Sequence, residues 1–558
     1  MWLGIDVGGT FTDAVVVAEG QVLAQVKTPT THGRLLDGIL NAMDKALTGL
    51  KSKNIERIAL STTIVTNALV EGRTERVGLC LMSGPGMDIS GLVPETPCFL
   101  SGYIDHRGRE ISPPCIEEIE EACRYFNDCE VFAIAGKFAV RNPQHELTAA
   151  RVLQQHAKSQ HITLGSSMSG TLNFLRRANS AYYNAAVWRL FGNFSLAVEE
   201  ALRQRGINAP VYVLKADGGT IPLSLAKEQP VEAIFTGPAA SVLGIMAMKE
   251  TSMPAVSLDI GGTTTDIALW QNGVPMFAER GAKVSGYVTA VRAFWLKSVG
   301  IGGDSYVRRE AGQLKVGPER RGPAMALGGP EPTVSDAMVV AGICSFGNKE
   351  LAAKAMEQIS APGQSLHETV EMVLTAAAEE IYQAIEDMLD EQAAEPVYRV
   401  EDIVHSERFK PQLVIGVGGA AKGLAPLVAK RMNIACVVPP GGMVANAVGA
   451  AVARPTLDIT LRVDTAQGYY TVAELGLREK LPSRRFYLAD ARAVATKHLA
   501  ERAEQAGIAV SAMEQVYEEE FNLVRGFNTV GKIITCKLQI KPGVLMNVGS
   551  FADRGEIL

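Results

Sequence analysis

The sequence predicts a mixed α/β protein built from two related halves, with a small α+β piece at its C-terminal end. Three observations predict it. The chain has 558 residues, beyond the roughly 250–300 at which a single core stops growing. A strand–glycine turn–strand unit occurs twice, at residues 3–16 and 256–269. A further glycine turn, at residues 412–432, follows the second unit and leads from a strand into a helix.

The repeat comes first in the argument. LGIDVGGTFTDAVV matches VSLDIGGTTTDIAL, and between Asp6–Asp13 and Asp259–Asp266 six of eight positions are identical. One glycine hairpin invented twice would not reproduce that pattern, so the halves read as duplicates. Each copy enters on an apolar β-rich run, turns at paired glycines and returns on a second apolar run, which predicts a hairpin. Gly8, Gly9, Gly261 and Gly262 can take positive φ and leave their N–H groups unobstructed, forming a nest for anions. Thr10, Thr12, Thr263 and Thr265 are expected to add hydroxyl donors. Asp6 and Asp259 end the incoming strands beside the nests. A carboxylate next to a phosphate repels it unless a divalent cation lies between them, and Mg²⁺, with oxygen ligands and retained waters, suits that place. Two facing nests would clamp a polyphosphate from both sides.

The later turn reads QLVIGVGGAAKGLAPLVAKRM: a buried strand at Leu413–Ile415, a bend at Gly416, Gly418 and Gly419, and a helix over 424–432. A strand–glycine–helix unit is a common packing device, and its place after the second nest is what gives it a functional reading. Two helical stretches have small faces, residues 180–206 (with Ala181, Ala185 and Ala186) and residues 444–453. Small residues let helices approach closely, which predicts a crossing pair at a hinge between the halves.

Composition excludes several classes. Hydrophobic residues make up 47% and charged residues 20%, a globular balance. The net charge of −6 argues against nucleic acid or an anionic membrane as the main partner. No apolar run reaches the roughly 18 residues of a membrane span. Met1–Asp6 lacks a basic targeting region, which predicts a cytoplasmic chain. The eight cysteines form no C-x-x-C pair and the eight histidines no H-x-x-x-H, so reduced thiols and no zinc site are expected.

The two D-x-G-[GT]-T-x-[TS]-D hairpins and the glycine-rich adenosine turn after them resemble the actin/hexokinase/Hsp70 nucleotide-binding superfamily. More specifically the chain resembles the A-type subunit of the hydantoinase/5-oxoprolinase family, through STTIVTNALVEG (61–72), NPQHE (142–146), TGPAASVLG (236–244), VGIGGDS (299–305), EPTVSDA (331–337) and IGVGGAAKG (415–423). The resemblance implies duplicated actin-like (ribonuclease H-like) ATPase halves around a nucleotide cleft. It implies an enzyme that uses ATP and Mg²⁺ to phosphorylate the carbonyl oxygen of a cyclic amide or imide and so promote its hydrolysis. Asp6 and Asp266 would be catalytic, and Asp6 and Asp259 would hold the metal. Gly8, Gly9, Thr10, Thr12, Gly261, Gly262, Thr263 and Thr265 would cradle phosphates. Gly418, Gly419 and Ala420 would lie under the adenosine, with Gly302 and Gly303 nearby. Partners implied are a small carbonyl substrate, a B-type hydrolase subunit and a second copy of the chain. The alternatives are the nucleotide-binding subunit of an ATP-dependent ketone carboxylase, a chaperone-like reactivating ATPase and a hexokinase-type kinase. The sequence departs from the family pattern at Trp295-Leu296-Lys297, where a D-I-H triplet is usual. The expected domains are 1–167, 168–455 with a helical insertion at 365–394, and 456–558. Thr62, Thr63, Thr66 and Asn67 fall at a helix start, as substrate contacts or as caps. His145 reads as a structural hydrogen-bonding residue, and Glu518–Glu520 as a solvated edge.

Overall fold

The computed structural model describes residues 1–30, 35–394, 409–483 and 485–551. Trp2–Val7 is an apolar run buried almost throughout, as a strand covered on both faces requires. It pairs antiparallel with Phe11–Ala18, which pairs antiparallel with Gln21–Pro29. On its other side it pairs parallel with Arg57–Thr62, which pairs parallel with Val211–Leu214. The second half repeats the plan. Ala255–Ile260 is antiparallel to Thr265–Gln271 and parallel to Leu413–Val417, which is parallel to Ala435–Val437. The register is the same in both copies, Asp6 opposite Asp13 and Asp259 opposite Asp266. The chain is thus mixed α/β with two halves of one topology.

Between Arg57–Thr62 and Val211–Leu214 the chain builds a four-stranded sheet, including Val77–Met82, Val131–Gly136 and His161–Leu164, and the helix Phe174–Gln204. That long crossover explains one departure from the expected division at residue 167. Val211–Leu214 and Thr220–Pro222 lie past it in sequence yet hydrogen-bond into the first sheet. Ser550–Phe551 also returns to that sheet, beside Gln21 and Val22. The C-terminal piece is a five-stranded antiparallel sheet carrying the helix Leu488–Gln505. Its core, including Leu461, Val463, Ile534 and Cys536, is continuous with that of the first half. Met513–Arg525, with Glu518–Glu520, forms the edge of this sheet.

The small-faced helices need a correction. Ala445–Val452 crosses Thr236–Met248 rather than the long helix at 174–204. A Cβ at Gly449 would lie 2.0 Å from the Ala240 carbonyl oxygen, and one at Gly244 2.1 Å from that of Ala445, so backbone meets backbone. The same short helix lies on the first sheet, where a Cβ at Gly4 would come within 2.1 Å of the Ala447 carbonyl oxygen. The alanines at 181, 185 and 186 are buried in the first core instead.

Candidate functional site

The two hairpin turns close alike. The Gly8 N–H donates to the Phe11 carbonyl and the Gly261 N–H to that of Thr264, both at 3.0 Å. They face each other directly, with Thr10 Oγ1 3.2 Å from Thr263 Oγ1. The expected positive φ is not used at Gly8, Gly9, Gly261 or Gly262; space is what these turns require. A Cβ at Gly9 would project into open room, and one at Gly262 would lie 3.0 Å from Asp304 Oδ2.

Thr12 and Thr265 stand elsewhere than expected. Both are buried. Thr12 Oγ1 lies 3.1 Å from Thr30 Oγ1, and Thr30 donates to the Gly8 carbonyl. Thr265 donates to the Ile301 carbonyl at 2.6 Å. Each sits in its return strand, where alternation turns it to the face opposite the neighbouring Asp. They hold the nests from behind, whereas Thr10 and Thr263 lie in the turns and face the gap.

The carboxylates are unequal: Asp6 and Asp13 are buried, Asp259 and Asp266 half-buried. Burial pushes Asp6 up to about 7; Asp13 and Asp259 act in the same direction, and a hydrogen bond from Ser61 opposes them. Asp6 Oδ1 is buried with no hydrogen-bond partner. Asp13 is neutralised by Lys27, whose Nζ lies 2.6 and 2.8 Å from its two oxygens. Among the described residues, its counterpart Asp266 has no such cation. Burial and the Asp259 charge raise it to about 7, with Ser298 as its hydrogen-bonding neighbour. Burial also raises Asp259, which accepts from Asn446 Nδ2 at 3.1 Å.

The remaining glycine segments converge on the second hairpin. Gly303 N–H donates to the Gly261 carbonyl at 2.9 Å and Asp304 N–H to that of Gly262 at 2.6 Å. A Cβ at Gly302 would strike Gly261 and Gly262 at 2.7 Å. The Ala420 N–H donates to the Ile260 carbonyl at 3.0 Å. Gly418 is required twice over: its φ is +92°, and a Cβ there would lie 2.6 Å from Asp259 Oδ1. Gly419 opens onto free space. All thirteen predicted nest, loop and turn positions therefore lie in or behind one pair of facing loops, joined by Asp6, Asp259 and Asp266.

Two family-like stretches act as supports. Thr236 Oγ1 takes the Thr62 N–H at 3.0 Å and donates to the Thr62 carbonyl at 2.9 Å, and Thr66 Oγ1 accepts from Phe235 N–H at 2.9 Å. In EPTVSDA, Asp336 caps its own helix and Ser335 N–H holds the Gly303 carbonyl at 2.6 Å. His145 is buried and pairs with Glu110 at 3.0 Å, the structural role expected of it. Lys297 points away from the hairpins, to Glu391 at 2.9 Å.

Sequence reasoning missed Lys27, Asn446 and the Asp304–Arg320 pair at 3.1 Å. Two of them left a signal. Counting register along the first hairpins sets Lys27 opposite Asp13, and Asn446 is the one polar side chain in VANAVGAAVA.

Residues 177–459 match the family profile described as hydantoinase/oxoprolinase, and residues 2–157 match that of the hydantoinase/oxoprolinase N-terminal region. The chain belongs to the hydantoinase/oxoprolinase family. It is 27% identical over 382 residues to caprolactamase subunit alpha of Pseudomonas jessenii, covering 62% of this chain and 55% of that one. It is 27% identical over 423 residues to the acetophenone carboxylase gamma subunit of Aromatoleum aromaticum, covering 64% and 57%. It is 24% identical over 401 residues to 5-oxoprolinase 1 of Arabidopsis thaliana, covering 61% and 31%. The chain thus spans little more than half the length of the first two relatives and a third of the last. Among solved structures, nucleotide-free acetone carboxylase superposes with a TM-score of 0.69 at 17% identity, covering 98% of this chain and 88% of that one. Caprolactamase from Pseudomonas jessenii gives 0.69 at 21%, covering 96% and 87%. These two structures share its fold. Among the described residues no helix is long and apolar enough to cross a membrane.

Proposed function

We propose that this chain binds Mg·ATP between its two hairpins and phosphorylates the carbonyl oxygen of a cyclic amide, so that the ring can be opened by water. The observation that carries the reading is the pair of matching turns meeting at Thr10 and Thr263, with the buried Asp6 and the half-buried Asp259 and Asp266 behind them. The N–H groups of Gly9 and Gly262 and the hydroxyls of Thr10 and Thr263 would cradle the phosphates, because the Gly8 and Gly261 N–H groups close their own turns, and the segment at Gly418–Ala420 would carry the adenosine. An amide carbonyl is a poor electrophile, and phosphorylating its oxygen makes a leaving group of it. The protein's part in such a transfer is positioning and neutralisation of charge.

The residues fit a divalent cation. Asp6 Oδ1 is a buried carboxylate oxygen with no partner, set beside the Asp259 charge. Among the described residues no three His, Cys, Asp or Glu side chains converge as a closed metal cage. Asp6, assisted by Asp259, would therefore share the ion with phosphates and waters, the usual habit of Mg²⁺. Bound there, it supplies charge neutralisation at the phosphoryl group. Asp266, with no lysine partner and a carboxyl group raised to about 7, is placed to hold or accept a proton at its Oδ atoms near neutral pH.

The similarity to the acetophenone carboxylase subunit equals that to the caprolactamase subunit and supports a second reading, in which the phosphorylated acceptor is a ketone enolate awaiting carboxylation. The subunit names of these relatives favour a B-type partner, and a homodimer is part of the same proposal. Calorimetry with ATP, with and without Mg²⁺, tests the clamp: no binding in either condition overturns it. An ATPase screen against cyclic amides, imides and ketones, with and without bicarbonate, separates the two readings. Stimulation by ketones that requires bicarbonate selects carboxylation.

A further inference from the structure

The turns of the two hairpins, residues 8–11 and 261–264, contain no cation. The charge beside them comes from a later loop. Asp304 N–H holds the Gly262 carbonyl, and its side chain turns toward the same residue. A Cβ at Gly262 would lie 3.0 Å from Asp304 Oδ2 and 3.8 Å from Thr10 Oγ1. The carboxylate therefore borders the place where the two turns meet. By itself it would repel a phosphate there, as would Asp6 and Asp259 behind the turns.

Arg320 offsets it. Its Nη2 and Nε donate to Asp304 Oδ2 at 3.1 and 3.2 Å. The backbone sets it in place. Tyr306 N–H donates to the Glu319 carbonyl at 2.9 Å, and Gly317 N–H to that of Tyr306 at 2.8 Å. The segment leading into Arg320 is thus laced to the loop just past Asp304. The next residue takes another course: Arg321 lies over the Tyr306 ring, 4.2 Å from its centroid, and pairs with Glu319 at 3.2 Å. One of two adjacent arginines is turned to the hairpin, and the other is spent on its own loop.

The pair leaves part of the Arg320 guanidinium unused. It grips one carboxylate oxygen through its Nε–Nη2 edge, and among the described residues its Nη1 has no hydrogen-bond partner. The arginine side chain is 30% exposed and that of Asp304 13%, so the cation is the more open of the two. Lys27, at the first hairpin, is already engaged by Asp13 and the Met443 carbonyl.

We infer that Arg320 is a phosphate-binding residue of the clamp: its Nη1 donates to the phosphate chain at the Gly262–Thr263 turn while Asp304 holds the other edge of the fork. This rests on the nucleotide reading proposed above and names a cation for it. A polyphosphate beside Asp6, Asp259 and Asp304 needs positive charge on the protein as well as a divalent ion. A planar guanidinium can hold a carboxylate on one edge and a phosphate oxygen on another.

The test is calorimetry of Mg·ATP on the full chain, with Asp304→Asn as a second background. Arg320→Met is expected to weaken binding about tenfold or more, and Arg321→Met by less than about twofold. Part of the first loss would come from the Asp304 carboxylate left uncompensated, and Asp304→Asn removes that charge. Arg320→Met made in the Asp304→Asn chain should therefore still cost about tenfold against Asp304→Asn alone. That comparison carries the test where the single Arg320 variant does not fold. The inference is overturned if Arg320→Met binds like wild type, if Arg321→Met weakens binding as much, or if the double variant binds like Asp304→Asn. In that last case Arg320 only neutralises Asp304. A wild-type chain that fails to bind Mg·ATP instead overturns the nucleotide reading, and this inference with it.

Discussion

Asp6 and Asp266 are costly residues in the absence of a ligand. Burial raises both to about 7, so near pH 5 to 6 the folded chain holds protons there that the unfolded chain has released. The unfolded state then binds fewer protons, and stability falls as pH rises through about 7. The ligand-free protein is therefore expected to melt at a lower temperature at pH 8 than at pH 6, with Mg·ATP recovering the difference mainly at pH 8. Scanning fluorimetry across that range checks it, and a flat profile would count against the buried charges. Asp6→Asn removes one of these charges. It should raise the melting temperature of the ligand-free protein at pH 8 while lowering ATP turnover by about 10²-fold or more. Asp266→Asn should do the same to turnover. Wild-type turnover in either folded, monodisperse variant takes that residue out of the mechanism. The pairing of Asp13 with Lys27 predicts a contrasting case: Lys27→Met leaves a buried carboxylate unpaired and should destabilise the chain by roughly 3 kcal/mol, read from urea unfolding.

At the scale of elements, the joint between the halves is the crossing of Thr236–Met248 with Ala445–Val452. The latter helix also carries Asn446, the hydrogen-bond donor to Asp259, so its position is coupled to the carboxylate cluster. Gly449→Ala would place a methyl 2.0 Å from a backbone oxygen and must part the helices. A loss of about 1–3 kcal/mol is expected, with Mg·ATP affinity falling at least tenfold by calorimetry. Gly192→Ala supplies the control. It lies within Phe174–Gln204, where a Cβ would meet nothing within 4 Å, and the exchange should be neutral or stabilising by up to about 1 kcal/mol. The hairpins and the strand at Leu413–Ile415 were legible in the sequence, because each is an apolar run bounded by glycines. The partner of the small-faced helix was not. Both candidate helices present alanines, and only tertiary packing decides that the groove at Gly244, and not the face at Ala185, receives Gly449. The threonines were legible only in part: Thr10 and Thr12 look alike in sequence, and the pleat separates their roles.

At the scale of the whole molecule, the chain carries two facing hairpins and a charged cavity, and the second was invisible in sequence because it draws on residues as distant as Ser167 and Gln539. What the described residues lack is an evident hydrolytic centre. No cluster of metal-binding side chains is found among them. Burial drives the Cys80 and Cys129 thiols away from ionisation, and His161, stacked on Trp188, is lowered to about 4. Lys297, in the triplet where the family pattern would place an Asp/His pair, is tied to Glu391 on the outer surface. A phosphorylated amide must meet water in a protected site, because release into solvent wastes ATP. On the function proposed above, that step would lie on a partner chain; two relatives are named as alpha and gamma subunits. Purified protein with Mg·ATP and an accepted cyclic amide is therefore expected to release phosphate slowly and to form no ring-opened product, while addition of a B-type subunit raises both together. The measurement is paired, with phosphate by a coupled assay and the amino acid by chromatography. Stoichiometric ring opening by this chain alone would place the hydrolytic residues here and remove the need for a partner.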